Sequence, residues 1–148
     1  MIWARAPALH FAFMVFNAAI ERRASPLAPA LRSLVQTRVS QINHCAFCID
    51  LNQMLAAQRA GSLDKALAVE QWRASETFDA LERLALEYAE AMTDSGQTVS
   101  ADLISRLRAH LTEGALIELT SLIAFQNLSS KFNAALDIPS QGLCRAPR

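Results

Sequence analysis

Residues 43–52 read NHCAFCIDLN, and this stretch places two of the chain's three cysteines one helical turn apart. If a helix begins near Cys45, positions 45, 48, 49, 52 and 56 share a face, so Cys45, Cys48 and Asn52 fall in one line beside Ile49 and Ala56. That spacing brings two sulfurs within reach of a disulfide with little backbone movement. A helix N-terminus favours negative charge and so lowers a thiol's pKa, and a protonated His44 would push the same way. A thiolate so placed can attack a peroxide or a disulfide, and the second cysteine can close an intramolecular disulfide before over-oxidation. Two other readings of the pair stand beside this one. Buried cysteines are common packing residues. A zinc site would need three or four ligands, and only the scattered His44, His10, His110 and Cys144 could complete one, so no metal and no cofactor is expected.

Outward from this stretch the chain reads as helix throughout. An apolar first helix spans 6–22. Ser25-Pro26 reads as an N-cap with proline at the first helical position, opening a helix with Leu27, Leu31, Leu34, Val35, Val39 and Ile42 on one face. The cysteine helix runs from about Cys45 to Ala60, where Gly61 stops it. Ser62 caps a short helix through Ala68, and VEQWRAS (69–75) reads as a connection. Residues 77–92 form an amphipathic helix, with Phe78, Leu81, Leu84, Ala85, Tyr88 and Met92 on its apolar side. TDSGQTVS (93–100) is a loop. Ser100 caps a helix through His110, and Thr112 caps the last, over about 113–136. From Leu122 onward that helix is apolar most of the way round, which predicts burial on several sides as a central helix or an oligomer interface. The tail from about 137 reads as an extended arm. The expectation is one all-α domain over 1–148.

The bulk numbers narrow the function classes. The chain has 148 residues, 52% hydrophobic and 19% charged, which suits a folded core and argues against disorder. Lys+Arg and Asp+Glu total 14 each, so there is no net charge to recruit nucleic acid or an anionic membrane, and little to keep copies apart. Three cysteines are too few for a secreted disulfide framework, so a reducing, cytoplasmic setting is expected. The segment APALHFAFMVFNAAI (6–20) superficially resembles a signal sequence. However, His10 interrupts it, and Ala18-Ala19 run directly into Ile20, Glu21 and two arginines, a poor cleavage site.

The longer segment RVSQINHCAFCIDLN (38–52) resembles the active-site segment of the carboxymuconolactone decarboxylase superfamily, in its AhpD-like alkylhydroperoxidase branch. ALERLALEYAEAMTDS and LTEGALIELTSLIAFQNLSSKFNAALDIP resemble that family's later helices, and together the three cover roughly residues 25–140. The resemblance implies an AhpD-like helical fold assembled as a homo-oligomer, a dimer, trimer or hexamer. It also implies reduction of peroxides or disulfides by Cys45 and Cys48, with electrons from a thiol/disulfide donor. The family pattern has a glutamate twelve residues before the first cysteine and a histidine four after the second, which together relay protons. Here those positions are Ser33 and Asn52. Asparagine cannot take up a proton near neutral pH, so general-base help of about 10²–10⁴-fold is lost from that position. His44 and Asp50 are the nearby titratable groups. His44, Asn52 and Ser33 are therefore candidate supporting residues, while Asp50 is expected to face solvent or pair with Arg38. Gln126 and Asn127 are expected to be satisfied amides at an interface. A decarboxylase-type lyase, or a non-catalytic oligomeric redox-sensing or binding module, are the alternative functions.

Overall fold

The computed structural model describes residues 5–144, and among these every regular element is a helix. In chain order they are α1 (Pro7–Ile20), α2 (Pro29–Ile42), α3 (Ala46–Ala60), α4 (Leu63–Leu67), a 3-10 turn (Ala68–Gln71), α5 (Ala80–Thr93), α6 (Ala101–Arg108) and α7 (Glu113–Ala135). Side-chain caps set most of the starts, because the first turn of a helix leaves backbone N–H groups without partners. Ser62, Ser100 and Thr112 accept from the N–H groups of Lys65, Leu103 and Ala115. Asp79 and Glu82 form a reciprocal capping box that starts α5. Gly61 ends α3 in the left-handed region at φ +67°.

Three expectations about elements need correcting. Ser25-Pro26 does not start α2: Ala28 is the N-cap, and Pro29 takes the first-turn position. Ser25 Oγ instead accepts from Leu27 N at 3.2 Å and donates to Glu118 Oε2 at 2.7 Å, which ties the α1–α2 turn to α7. The stretch 69–75 is more than a connection, since Val69 and Trp72 are buried in a small second core with Leu34, Ala56, Phe78 and Leu86. The tail is not a free arm, because residues 140–144 fold back onto α3. Arg145 and Arg148, which the sequence also puts in the tail, lie outside the described residues.

The most enclosed helix is α2, while α7 packs against α1, α2, α3, α5 and α6. Leu31, Leu34, Val35 and Val39 are buried on α2, and so are Arg32, Ser33, Gln36, Thr37 and Ser40. It packs against α3, α5 and α7 at once, which leaves its polar residues little contact with solvent. The main core joins Leu31, Val35 and Val39 to Ala85, Tyr88, Leu107, Leu119, Leu122 and Ile123 from α5, α6 and α7. By contrast α7 keeps a bare stripe at Ile117, Ala124 and Leu128. Of α1, only Ile20 is buried. Its hold on the body is Phe13 and Phe16 against Phe125, with ring centroids 4.6 and 5.0 Å apart.

Candidate active site

The turn from α2 into α3 builds the cysteine pair. Asn43 closes α2, and His44 takes a left-handed conformation at φ +52°, which histidine adopts more readily than bulky residues do. Cys45 N then donates back to Ser40 O at 3.1 Å, and Cys45 O accepts from Ile49 N at 2.8 Å as the N-cap of α3. Its Sγ accepts from Cys48 N at 3.2 Å, the position a capping oxygen would take. The two sulfurs stand at disulfide distance, with Cα atoms 5.2 Å apart.

The two cysteines are not equivalent. Cys45 is fully buried, whereas Cys48 forms part of the lining of a cavity of about 310 Å³ that Cys45 does not line. Asn133 Nδ2, from α7, donates to Cys48 Sγ at 3.4 Å. Behind Cys48 lies a buried polar wall from three helices. Ser40 Oγ accepts from Asn52 Nδ2 at 3.1 Å and from Gln126 Nε2 at 3.0 Å, and donates to Gln36 O at 2.6 Å. Asn52, Gln126, Gln36 and Asn133 all line the cavity. Phe13, Phe47, Leu51, Leu55 and Phe125 supply its apolar side.

Of the sequence candidates, Cys45, Cys48 and Asn52 come together. Ser33 is fully buried and accepts from Arg59 Nη1 at 2.9 Å, and it is Arg59 rather than Ser33 that reaches the cavity. Arg59 Nη2 stands 2.9 Å from Glu21 Oε2 at the end of α1, an ion pair without hydrogen-bond alignment. The side chain of His44 is exposed and outside the lining, and the residue's visible task is to turn the chain. His10 and His110 are exposed on or near other helices, and Cys144 lies in the tail, all apart from the pair. Among the described residues, no three His, Cys, Asp or Glu side chains gather as metal ligands.

One expectation about polar residues fails. Asp50 neither faces solvent nor pairs with Arg38. It is buried, and its carboxylate accepts from Ser140 Oγ and the backbone N–H groups of Gln141 and Leu143 at 2.9 Å and of Cys144 at 2.7 Å. Burial pushes its pKa up, but the hydrogen bonds from Cys144, Leu143, Ser140 and Gln141 outweigh it and hold the group below its ordinary value. Arg38 binds Glu90, which also accepts from Trp72 Nε1 at 2.9 Å and pairs with Arg73 at 2.6 Å. Gln126 and Asn127 are satisfied amides, as expected, with partners inside the chain. Gln126 belongs to the cavity wall, while Asn127 bonds Asn43 and Thr93.

Sequence reasoning missed Gln36, Ser40, Asn133, Arg59 and Glu21. Packing brings them to the site from separate helices, with 85 residues between Asn133 and Cys48 and 86 between Ser40 and Gln126, and helical periodicity carries no signal for such pairs.

An all-helical body with a cysteine pair capping one helix, the second sulfur facing a cavity, defines a class of dithiol-bearing helical proteins. The comparisons make that class specific: the chain belongs to the carboxymuconolactone decarboxylase family, whose profile matches residues 7–91. The match takes in α1, outside the segments that first suggested the family, and stops within α5. The uncharacterised protein YnjA of Escherichia coli (strain K12) is 51% identical over 145 residues, which is 98% of this chain and 80% of YnjA. The AhpD-type core of a peroxidase-related protein from Ralstonia eutropha JMP134 superposes with a TM-score of 0.87 at 18% identity, covering 99% of this chain and 80% of that one. The debrominase Bmp8 superposes with a TM-score of 0.85 at 23% identity, covering 96% and 76%. These likenesses extend the AhpD-like fold over α6 and α7. No helix among the described residues is long and apolar enough to cross a membrane.

Proposed function

We propose that the protein is a thiol oxidoreductase that reduces organic hydroperoxides, with Cys48 as the attacking thiol and Cys45 as the resolving one. The observation that carries this reading is the asymmetry of the pair: Cys48 lines the cavity and Cys45 does not. Access decides which thiol a substrate meets, and here it outweighs the helix-end argument that favours Cys45. In the reduced protein, the Cys48 thiolate attacks the terminal oxygen of R–O–OH. An S–O bond forms, the O–O bond breaks, and the alkoxide leaves with a proton as the alcohol. Cys45 then attacks the Cys48 sulfenic acid, the S–S bond forms and water leaves. The sum is one hydroperoxide and two thiols converted to alcohol, water and disulfide. The Asn133 amide helps to hold negative charge on Cys48. The Cys48 N–H does the same for Cys45, whose thiolate is then the better leaving group when an external thiol reopens the disulfide at Cys48.

The reduced protein is expected to consume cumene hydroperoxide and lose two free thiols per chain. Cys48→Ser is expected to abolish turnover, and equal turnover by Cys48→Ser and wild type would sink the proposal. One observation favours a second reading, a redox sensor without turnover: Asn52, in the position of the family's relay histidine, is tied to Ser40 and has no proton to exchange. A disulfide that forms with peroxide but is never recycled by small dithiols would support that reading.

We propose further that copies of the chain associate through the exposed apolar side of α1 and the bare stripe of α7. Leu9, Phe11 and Val15 on α1 and Ile117 and Leu128 on α7 are all more than half exposed. With a formal net charge of zero, nothing general repels a second copy.

A further inference from the structure

The cavity beside Cys48 runs along one face of α3. Cys48, Leu51, Leu55 and Arg59 recur at helical spacing, and all four line it. Arg59 stands about three turns after Cys48, ~16 Å along the helix axis. The cavity therefore has two unlike ends, a sulfur at one and a guanidinium at the other, with apolar side chains between them. The guanidinium is not neutralised by its neighbours. Arg59 Nη2 stands 2.9 Å from Glu21 Oε2, but the same oxygen also lies 3.8 Å from Arg32 Nη1. Arg32 in turn attracts Glu118, which is already paired with Arg22. The cluster thus sets three guanidiniums against two carboxylates. Arg32 is 3% exposed and does not line the cavity, whereas the Arg59 side chain is 25% exposed and does. The excess positive charge meets the cavity at Arg59. A guanidinium carries five N–H donors. Ser33 Oγ accepts one from Nη1 at 2.9 Å, and Glu21 faces Nη2, so Arg59 is held in place with donors to spare for a carboxylate.

We propose that this cavity is a binding site for an elongated organic monocarboxylate, its carboxylate on Arg59 and its apolar body lying along Leu55 and Leu51 toward Cys48. The inference rests on the preceding reading for what happens to the ligand, a hydroperoxide-bearing member of this class being reduced at Cys48. It does not rest on that reading for the binding itself. Arg59 is then a specificity residue. A neutral ligand of the same length fills the apolar part and leaves the guanidinium without a counter-charge, and a cation meets a charge of its own sign.

The test uses matched probes and the full chain in its disulfide form. Calorimetric titration with octanoate, octan-1-ol and octylammonium compares an anion, a neutral molecule and a cation on one alkyl chain. Octanoate is expected to bind roughly tenfold or more tighter than octan-1-ol, with octylammonium weaker still. Butyrate, which keeps the charge and loses most of the apolar body, is expected to bind more weakly than octanoate. In the reduced protein, octanoate is expected to slow alkylation of Cys48 by iodoacetamide, and octylammonium is not. Arg59→Gln is expected to bring octanoate down to the affinity of octan-1-ol while leaving the latter unchanged. Arg59→Met serves the same purpose if the glutamine variant does not fold, and the wild-type series needs neither. Equal affinities in the wild type, tighter binding of the cation, or an anion preference that survives loss of the guanidinium overturns the proposal. So does selective octanoate binding that leaves Cys48 alkylation unchanged, since the anion then sits elsewhere. Consumption of cumene hydroperoxide, which has no carboxylate, is measured separately. Its absence alongside selective octanoate binding removes the peroxidase reading and leaves this site standing, and turnover without selectivity does the reverse.

Discussion

Asn52 stands in the wall of the Cys48 cavity as an amide, which cannot take up a proton near neutral pH. Its amide donates to Ser40 Oγ at 3.1 Å, and Ser40 also receives Gln126. The position is thus embedded in a hydrogen-bonded wall beside Cys48, and only the ability to exchange a proton is missing. Asn52→His introduces an imidazole where Ser40 Oγ offers a ready partner. The variant is expected to raise the second-order rate with cumene hydroperoxide by tenfold or more, within the roughly 10²–10⁴-fold that general-base help supplies. The rate should also acquire an inflection near a histidine pKa of about 6.5 that the wild type lacks. Stopped-flow rates between pH 5 and 8 check this, and an unchanged rate with an unchanged profile refutes it. The two cysteines and Asn52 were legible in sequence because helical phase lines them up. Gln36, Ser40 and Asn133 were not, because they sit on α2 and α7, and only packing brings those helices to Cys48. His44, beside a cysteine, suggests an acid or base in sequence, and the left-handed backbone it takes at the turn is not something residue type alone reveals.

At the scale of elements, α3 joins the redox pair to the C-terminal strap. Asp50 lies two residues after Cys48 and collects four donors from residues 140–144. Asp50→Ala removes the shared acceptor and is expected to free the strap, at a cost on the order of 2–3 kcal/mol. Faster hydrogen exchange at the amides of Gln141, Leu143 and Cys144, with α5 and α6 unaffected, checks this. The pH dependence has a definite sign. Because the folded pKa lies below the ordinary 3.8, the strap's contribution is complete above the unfolded value of about 3.9 and fades as pH falls through the folded one. Strap protection should therefore be flat from pH 7 to 5 and drop below about pH 4, and the drop should be absent in Asp50→Ala. The other end of α3 is simpler. A Cβ on Gly61 would meet nothing within 4 Å, so Gly61→Ala is expected to cost only the left-handed backbone penalty of about 1–2 kcal/mol, read from the denaturant midpoint. Gly61 was plain in the sequence, as were the caps Ser62, Ser100 and Thr112, because a stop or a cap is a local event. The strap was invisible because prolines, glycine and polar residues read as an arm, and the acceptor that folds it lies 90 or more residues earlier.

In the whole molecule, the weakest joint lies beside the candidate chemistry. Helix α1 and its C-cap contribute Phe13, Asn17 and Glu21 to the Cys48 cavity, yet only Ile20 of that helix is buried. Two phenylalanine rings on Phe125 and the Glu21–Arg59 pair hold that wall in place. The outward side of α1 is apolar, and so is the adjoining stripe of α7, where Ile117, Ala124 and Leu128 recur at helical spacing. A second copy lying across both would bury this surface and clamp α1 against the body, so that self-association and the shape of the cavity become one problem. Light scattering at micromolar concentration is expected to show a dimer or larger assembly. Leu128→Glu should give a monomer with secondary structure intact, since Leu128 is 56% exposed within the chain and contributes little to the core. Leu67→Glu, a comparably exposed apolar position away on α4, should leave the assembly unchanged. The Leu128→Glu monomer should also lose most of its kcat/KM for cumene hydroperoxide while keeping the reactivity of its thiols toward a small alkylating agent, because α1 is loosened and the cysteine helix is not. A monomeric wild type, or a Leu128→Glu monomer with undiminished kcat/KM, would break the link between assembly and site.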